Sequence, residues 1–221
     1  MFPTFIDRFY HFLDRRTVGI FAAHRRKKIT NLKFSIISNN CWGGVCYEHF
    51  GLLKQSPTVG MYFYPEDFLK LVCNLRHYLS LDMEIIDWRQ SKNADFLIAD
   101  ESTGFLIGRI GDIEAVLVHY HSAKLAVEKW ARRRKRVDFE HLYFKFGQEN
   151  HATFDQLKRF DEAPLPGPKV MFVSKPIPSF GSAIYYKGFE KEGQILNDTF
   201  YWDRYFDIYE FLNKGTIKGR K

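Results

Sequence analysis

Short apolar runs in this chain alternate with stretches in which apolar residues recur every three or four positions. Lys33 to Ile37 is a run of strand length, and it breaks abruptly into Ser38-Asn39-Asn40-Cys41-Trp42-Gly43-Gly44. An apolar, helix-compatible segment, Val45 to Phe50, follows, so the pattern reads strand, glycine turn, helix. Ser56-Pro57 marks a turn, and Val59 to Tyr64 reads as extended. Pro65-Glu66-Asp67 opens a helix, because proline suits the first turn and acids suit the positive end of the dipole. Phe68, Leu71, Val72, Leu75 and Leu79 give that helix a buried stripe. Met83 to Ile86 is a short strand candidate, and Ala94 to Ala99 with Phe105 to Ile110 predict a hairpin around Asp100 to Gly104. Asp112 to Tyr120, nearly continuous in valine and leucine, predicts a central strand. Ser122 caps a helix running to about Val137.

The second half repeats the alternation. Leu142 to Phe146 reads as a strand, and Thr153 caps a short helix to about Phe160. A proline loop at 164–168 precedes the strand Val170 to Val173. Ala183 to Tyr186, turning at Lys187-Gly188, is assigned to a late hairpin, and Asp203 to Leu212 to a last aromatic helix. The fold class that follows is α/β: three layers, helix–sheet–helix, with a mixed, mostly parallel sheet and interleaved β-hairpins. Residues 1–28 read as an amphipathic basic helix, and 29–221 as a single α/β domain.

Composition narrows the function classes. With 221 residues, 45% hydrophobic and 17% aromatic, the chain is globular rather than disordered. The formal charge of +7 favours anionic partners, among them nucleotides, phosphorylated sugars and lipid headgroups. Nucleic acid is disfavoured, because the densest basic run is confined to one helix end and no reading motif accompanies it. Three cysteines without metal-like spacing fit a reduced, cytoplasmic protein. The N-terminus lacks the order of a signal peptide, and no run of 18 apolar residues exists. Phe2, Phe5, Ile6, Phe9 and Leu13 share one helical face, with Arg25, Arg26, Lys27 and Lys28 close behind. Such a helix packs on its own domain or on a second copy of the chain, or lies on an anionic membrane surface.

Candidate chemistry concentrates after the first strand. A helix N-terminus attracts phosphate or carboxylate. Gly43 and Gly44 would let backbone approach a ligand, Asn39 and Asn40 would reach sugar hydroxyls or a base edge, and Trp42 would stack on a sugar ring. Ser38 joins them as a candidate ligand-binding residue, and the plainer account is a tight turn whose asparagines cap local backbone. The spacing matches neither G-x-G-x-x-G nor G-x-x-x-x-G-K. Cys41 is a candidate nucleophile at a helix N-terminus, or a half-buried packing residue. His119 and His121, alternating with Tyr120 at a strand end, share a face and suit a general base, a phosphate contact or, less well, a metal. Lys129 and Arg132 to Arg136 place cations at a helix end, where Arg132, Arg133 and Arg136 could take an anion or simply oppose the dipole. Lys145, on an otherwise apolar strand, sits where the carboxyl edge of a sheet would meet a site and is a candidate ligand-binding residue.

Taken together, these segments resemble a bacterial family of unknown function labelled as exopolysaccharide biosynthesis proteins. The resemblance rests on Ile37 to Gly44, Pro65-Glu66-Asp67-Phe68, His119-Tyr120, the tryptophan–arginine pattern of Ala126 to Arg136, and Leu142 to Phe146. It covers about residues 30 to 212. It implies work on surface sugars and supplies no settled reaction. The expectation is a transferase acting on an activated or phosphorylated sugar. Asn39, Asn40, Gly43 and Gly44 would hold the ligand, arginines would neutralise its charge, and His119 or His121 would act as base. No D-x-D motif is present, so glycosyl, acyl or phospho transfer would proceed without a metal or other cofactor. The alternative is a non-catalytic module that binds a glycan or nucleotide sugar, or scaffolds a polysaccharide assembly machine.

Overall fold

The computed structural model describes residues 5–200 and 202–219. In chain order its elements are α1 (Phe5–Arg26), β1 (Ser35–Ser38), α2 (Trp42–Phe50), α3 (Pro65–Cys73), α4 (Leu75–Ser80), β2 (Glu84–Ile86), α5 (Ala94–Ala99), β3 (Leu106–Ile110), β4 (Ile113–Leu117), α6 (Ala123–Arg134), β5 (Leu142–Gly147), α7 (Phe154–Glu162), β6 (Lys169–Val173), β7 (Ala183–Tyr185) and α8 (Ile208–Lys214). The fold is mixed α/β. Phe2 lies outside the described residues, as do the side chains of Phe5 and Ile6.

The strands form two sheets rather than one mixed sheet. The larger is wholly parallel, in the order β1-β5-β6-β7. The smaller is antiparallel, in the order β2-β3-β4. Alternation on the parallel strands sorts their side chains between two cores. Ile36, Tyr143, Val170, Phe172 and Ile184 meet α2 and α8, through residues such as Tyr47, Phe50, Ile208 and Phe211. Ile37, Phe144, Phe146, Met171 and Val173 meet α3, α6 and α7, through Phe68, Trp130 and Phe160. This is the three-layer helix–sheet–helix arrangement.

The last helix starts at Ile208 rather than Asp203, because the Asp207 side chain caps it there, and four further assignments from the pattern change, each for a physical reason. The run at 112–120 is buried throughout its strand, yet β4 pairs only with β3, through a tight turn at Gly111, whose φ is +60°. Its other edge is covered by Tyr62, which exchanges two backbone hydrogen bonds with Val116, at 2.9 and 2.8 Å. Burial on both sides therefore mimics a central parallel strand. Residues 94–99 are helical: a short apolar run fits either element, and only Leu97 of that helix is buried. β7 runs parallel to β6, so it is a fourth strand of the main sheet and not a hairpin arm. The helix expected over 65–79 breaks at Asn74, whose φ and ψ of −136° and 48° are not helical.

Local signals hold elsewhere. Pro65 begins α3, with Glu66 and Asp67 in its first turn. Ser122 caps α6, and Thr153 and Gln156 form a reciprocal capping box at α7. The stretch expected to be extended over 59–64 begins inside a turn over 57–60, with Gly60 at φ +87°, and residues 61–64 join the sheets: Tyr62 pairs with β4, and Phe63 N–H donates to the Asn39 carbonyl just past β1, at 2.9 Å. That seam brings the ends of β1, β5 and β4 together.

Candidate functional site

The loop after β1 divides by the direction of its side chains. Ser38, Asn39, Trp42 and Gly43 turn inward. Ser38 Oγ accepts from Gly43 N–H (3.2 Å) and donates to the Asn40 carbonyl (2.7 Å), closing the turn. The Trp42 indole is fully buried, edge-on to Phe172 at 5.6 Å, with Nε1 donating to the Trp202 carbonyl (2.9 Å). It offers no face to a sugar, which corrects the expected stacking role. A Cβ on Gly43 would stand 3.0 Å from Ser38 Oγ, so glycine here serves packing. Asn39, also fully buried, accepts from Gly147 N–H through Oδ1 (3.0 Å) and donates back to the Gly147 carbonyl (3.3 Å). It locks β1 to the end of β5. Asn40, Cys41 and Gly44 line a cleft.

Behind that loop sits a buried charged network. Lys145 lies on the α2/α8 face of β5, with its ammonium 5.2 Å from the centroid of the Phe172 ring. It is wholly buried and pairs with the equally buried Asp198. It also donates to Asn40 Oδ1 (3.1 Å) and Asn39 Oδ1 (3.2 Å), and stands 3.5 Å from Glu149 Oε1. Asn40 Nδ2 bridges the carboxylates, at 2.7 Å from Asp198 Oδ1 and 2.9 Å from both Glu149 oxygens. A Cβ on Gly147 would overlap Glu149 Oε1 and stand 2.8 Å from Lys145 Nζ, so the strand end must be glycine for the network to close. Burial, then the neighbouring Asp198 charge, pushes the Glu149 carboxyl up to about 8, only partly offset by Lys145.

The cleft has two lobes, whose walls share Cys41, His119, Thr199 and Phe200. One lobe, of about 530 Å³, is acidic and amide-rich: Glu149, Asp198, Asp100, Asn40, Asn150 and Asn197 line it. The other, of about 410 Å³, carries Lys54, Lys129 and Arg133 against a single carboxylate, Glu48. Glu48 pairs with Lys54 at 2.7 Å. Arg133 is 8% exposed, and its Nη1 donates to the Val59 carbonyl and to the Tyr120 hydroxyl, both at 2.8 Å. Lys129 lies 5.2 Å from the Tyr120 ring centroid. Among the described residues neither Lys129 nor Arg133 has a carboxylate partner. Partial burial, then the Arg133 and Lys54 charges, holds the Lys129 ammonium below its ordinary value. Buried or crowded cations without counter-ions form an anion site.

Backbone strain collects around the acidic lobe. The non-glycine residues with positive φ among the described residues are Glu101 (52°), Asn150 (52°), His151 (67°) and Asn197 (55°). Asn150 and Asn197 line the lobe directly, Glu101 separates two lining residues, and His151 follows Asn150. Positions of this kind cost about 1–3 kcal/mol each and gather where function holds the chain in place. His151 is further fixed by stacking on Phe96, at 4.7 Å between centroids, and by a 2.8 Å contact from Nε2 to Asp100 Oδ1.

Other expected residues separate. β4 ends at Leu117, and the chain turns away. His119 reaches the shared wall of the cleft, whereas His121 is exposed and lines neither lobe. The two histidines therefore do not act as a pair. Of the α6 arginines only Arg133 enters the cleft; Arg132 and Arg136 line neither lobe. Cys41 is a poor nucleophile: burial, then the Asp198 charge, pushes its thiol up to about 11. Asp138, Glu140 and His141 are the one group among the described residues with donor atoms close enough to share an ion, and they lie at the opposite end of β5 from the cleft.

Glu149, Asp198 and Lys54 are site residues that the sequence pattern does not single out, and Lys129 stands there only as one of a basic run. A buried lysine on an apolar strand demands a counter-ion, so Lys145 already pointed to a nearby acid, and Glu149 stands four residues on. Asp198 comes from an irregular segment 53 residues from Lys145, and no local pattern marks it.

The fold and site thus define a mixed α/β protein with a two-lobed polar cleft at the carboxyl edge of a parallel sheet, where α/β proteins bind their ligands. The chain belongs to the family described as a domain of unknown function, DUF1919, which matches residues 13–213. It is similar to an uncharacterized protein of Haemophilus influenzae (strain ATCC 51907 / DSM 11121 / KW20 / Rd), 31% identical over 192 residues, 85% of this chain and 86% of the relative.

Proposed function

We propose that this protein is a transferase of surface-polysaccharide assembly acting on an activated or phosphorylated sugar bound across the two lobes. One observation carries the reading: a wall on which, among the described residues, Lys129 and Arg133 have no carboxylate partner meets a wall of carboxylates and amides along a shared edge. Lys54, Lys129 and Arg133 suit the anionic group of the donor, and the acids and amides suit sugar hydroxyls. The surface-polysaccharide setting comes from the sequence resemblance.

The roles follow from the chemistry of each wall. In glycosyl transfer, an acceptor hydroxyl gives its proton to the Glu149 carboxylate as its oxygen bonds to the anomeric carbon. The bond from that carbon to the leaving phosphate oxygen breaks, and the electron pair stays on the phosphate beside Arg133 and Lys129. A carboxyl titrating at about 8 is matched to proton transfer near neutral pH. Lys145 occupies the position between Asp198 and Glu149 that a metal cation would take.

Thermal-shift titration tests the reading. Nucleoside-diphosphate sugars and sugar phosphates are expected to raise Tm, and the corresponding neutral sugars to raise it far less. Equal or absent shifts for both classes would defeat it. Binding of phosphorylated sugars with no turnover over any acceptor would favour the non-catalytic module.

A further inference from the structure

The N-terminal helix presents a surface that the cleft does not explain. Its last turns dock on the carboxyl end of α2: Ala22 is buried, and Arg25 and Arg26 donate through Nη1 to the carbonyls of His49 (3.0 Å) and Phe50 (2.8 Å). The contact is close enough that a Cβ on Gly51 would meet the Ala22 Cβ at 2.9 Å. Val18, Ala22 and Arg25 therefore mark the packed side. Leu13, Arg16 and Ile20 fall within about 60° of arc on the opposite side, at 3.6 residues per turn. All three are exposed, Ile20 at 74%, with Phe12 and Phe21 exposed on the shoulders. An apolar strip turned away from the rest of the protein needs an occupant.

We propose that this strip docks α1 in the plane of an anionic phospholipid surface. Charge selects that occupant over a second copy of the chain. Residues 5–28 carry Arg8, Arg15, Arg16, Arg25, Arg26, Lys27 and Lys28 against Asp7 and Asp14. Arg16 lies inside the apolar strip, its guanidinium 5.1 Å from the Phe12 ring centroid. In a helix pair related by a two-fold axis, Arg16 and its copy would sit in the same dry seam and repel. At a bilayer, the aliphatic stem stays with Phe12 while the guanidinium reaches lipid phosphate. Arg8, Lys27 and Lys28 are exposed and add attraction to the same surface. No described helix is long and apolar enough to cross a membrane, so the helix lies on the surface.

Vesicle flotation of the full chain tests this. Vesicles of phosphatidylglycerol and phosphatidylcholine are expected to carry the wild-type protein, and phosphatidylcholine alone is not. Raising salt from about 0.05 to 0.5 M should release it. The triple variant Phe12→Ser, Leu13→Ser, Ile20→Ser changes only exposed positions, and should bind the anionic vesicles at least roughly tenfold more weakly, with its Tm unchanged. Equal flotation with both lipids, or none with either, would overturn the proposal. So would a wild-type dimer in solution that becomes monomeric in the triple variant. The comparison of lipids uses the wild-type chain alone, so a misfolded variant does not blunt the test.

Discussion

Replacing Glu149 with glutamine should flatten a pH dependence of stability built into the cleft. In the unfolded chain this carboxyl titrates near the ordinary 4.5, and in the folded protein burial and Asp198 move it to about 8. A raised carboxyl favours the folded state fully below about 4.5, and that contribution is lost as pH rises to about 8. Between these limits the unfolded chain has released the proton and the folded one has kept it. Stability then falls by about 1.4 kcal/mol per pH unit. From pH 5.5 to 7.5 the wild-type protein should lose about 2–3 kcal/mol through this group. Glu149→Gln carries no proton to lose and should lack that fall. The assay is urea denaturation of both proteins at half-unit pH steps, with the m-value monitored for two-state behaviour. Parallel curves for the two proteins would refute the reasoning. A wild-type stability that rises relative to Glu149→Gln as pH rises would refute it more strongly.

The other predictions bear on neighbouring groups. Lys145→Met leaves Asp198 buried without its closest cation and should cost about 3–5 kcal/mol in urea denaturation at pH 7; the double variant with Asp198→Asn should recover much of it. Lys129→Met removes a cation that lacks a carboxylate partner, and should weaken binding of uridine diphosphate, read by calorimetry, by roughly tenfold with Tm preserved. Cys73, the exposed thiol, should react first with Ellman's reagent, and Cys41, held at about 11, only slowly at pH 7.5. Cys41→Ser should therefore keep any turnover that the wild-type protein shows.

The hydrophobic pattern made the local elements legible and their pairing much less so. β1, β5 and β6 stand where apolar runs placed them, because a strand buried on both faces needs such a run. The partner of each strand is a long-range choice. β4 reads as central because α3 and Tyr62 bury it, and nothing within residues 112–120 records that its neighbour is antiparallel. The loop at 38–44 was legible as a strand-to-helix turn at a site, yet Ser38, Asn39, Trp42 and Gly43 build the turn while Asn40, Cys41 and Gly44 face the cleft. Inward and outward direction depends on φ, ψ and neighbours distant in sequence, such as Gly147 and Trp202. Lys145 carried the best signal, since its charge on a buried strand could be tolerated only with the acids that the fold brings to it.

Turnover measured against pH tests the account most directly. The wild-type protein would be given nucleoside-diphosphate sugars with an acceptor saccharide, and release of the nucleoside diphosphate followed from pH 6 to 9. The account predicts a rate that rises tenfold per unit below about 8 and then levels, and a Glu149→Gln protein that still binds the donor but releases nothing. A Glu149→Gln protein that turns over donor at the wild-type rate and with the same profile would contradict the central claim.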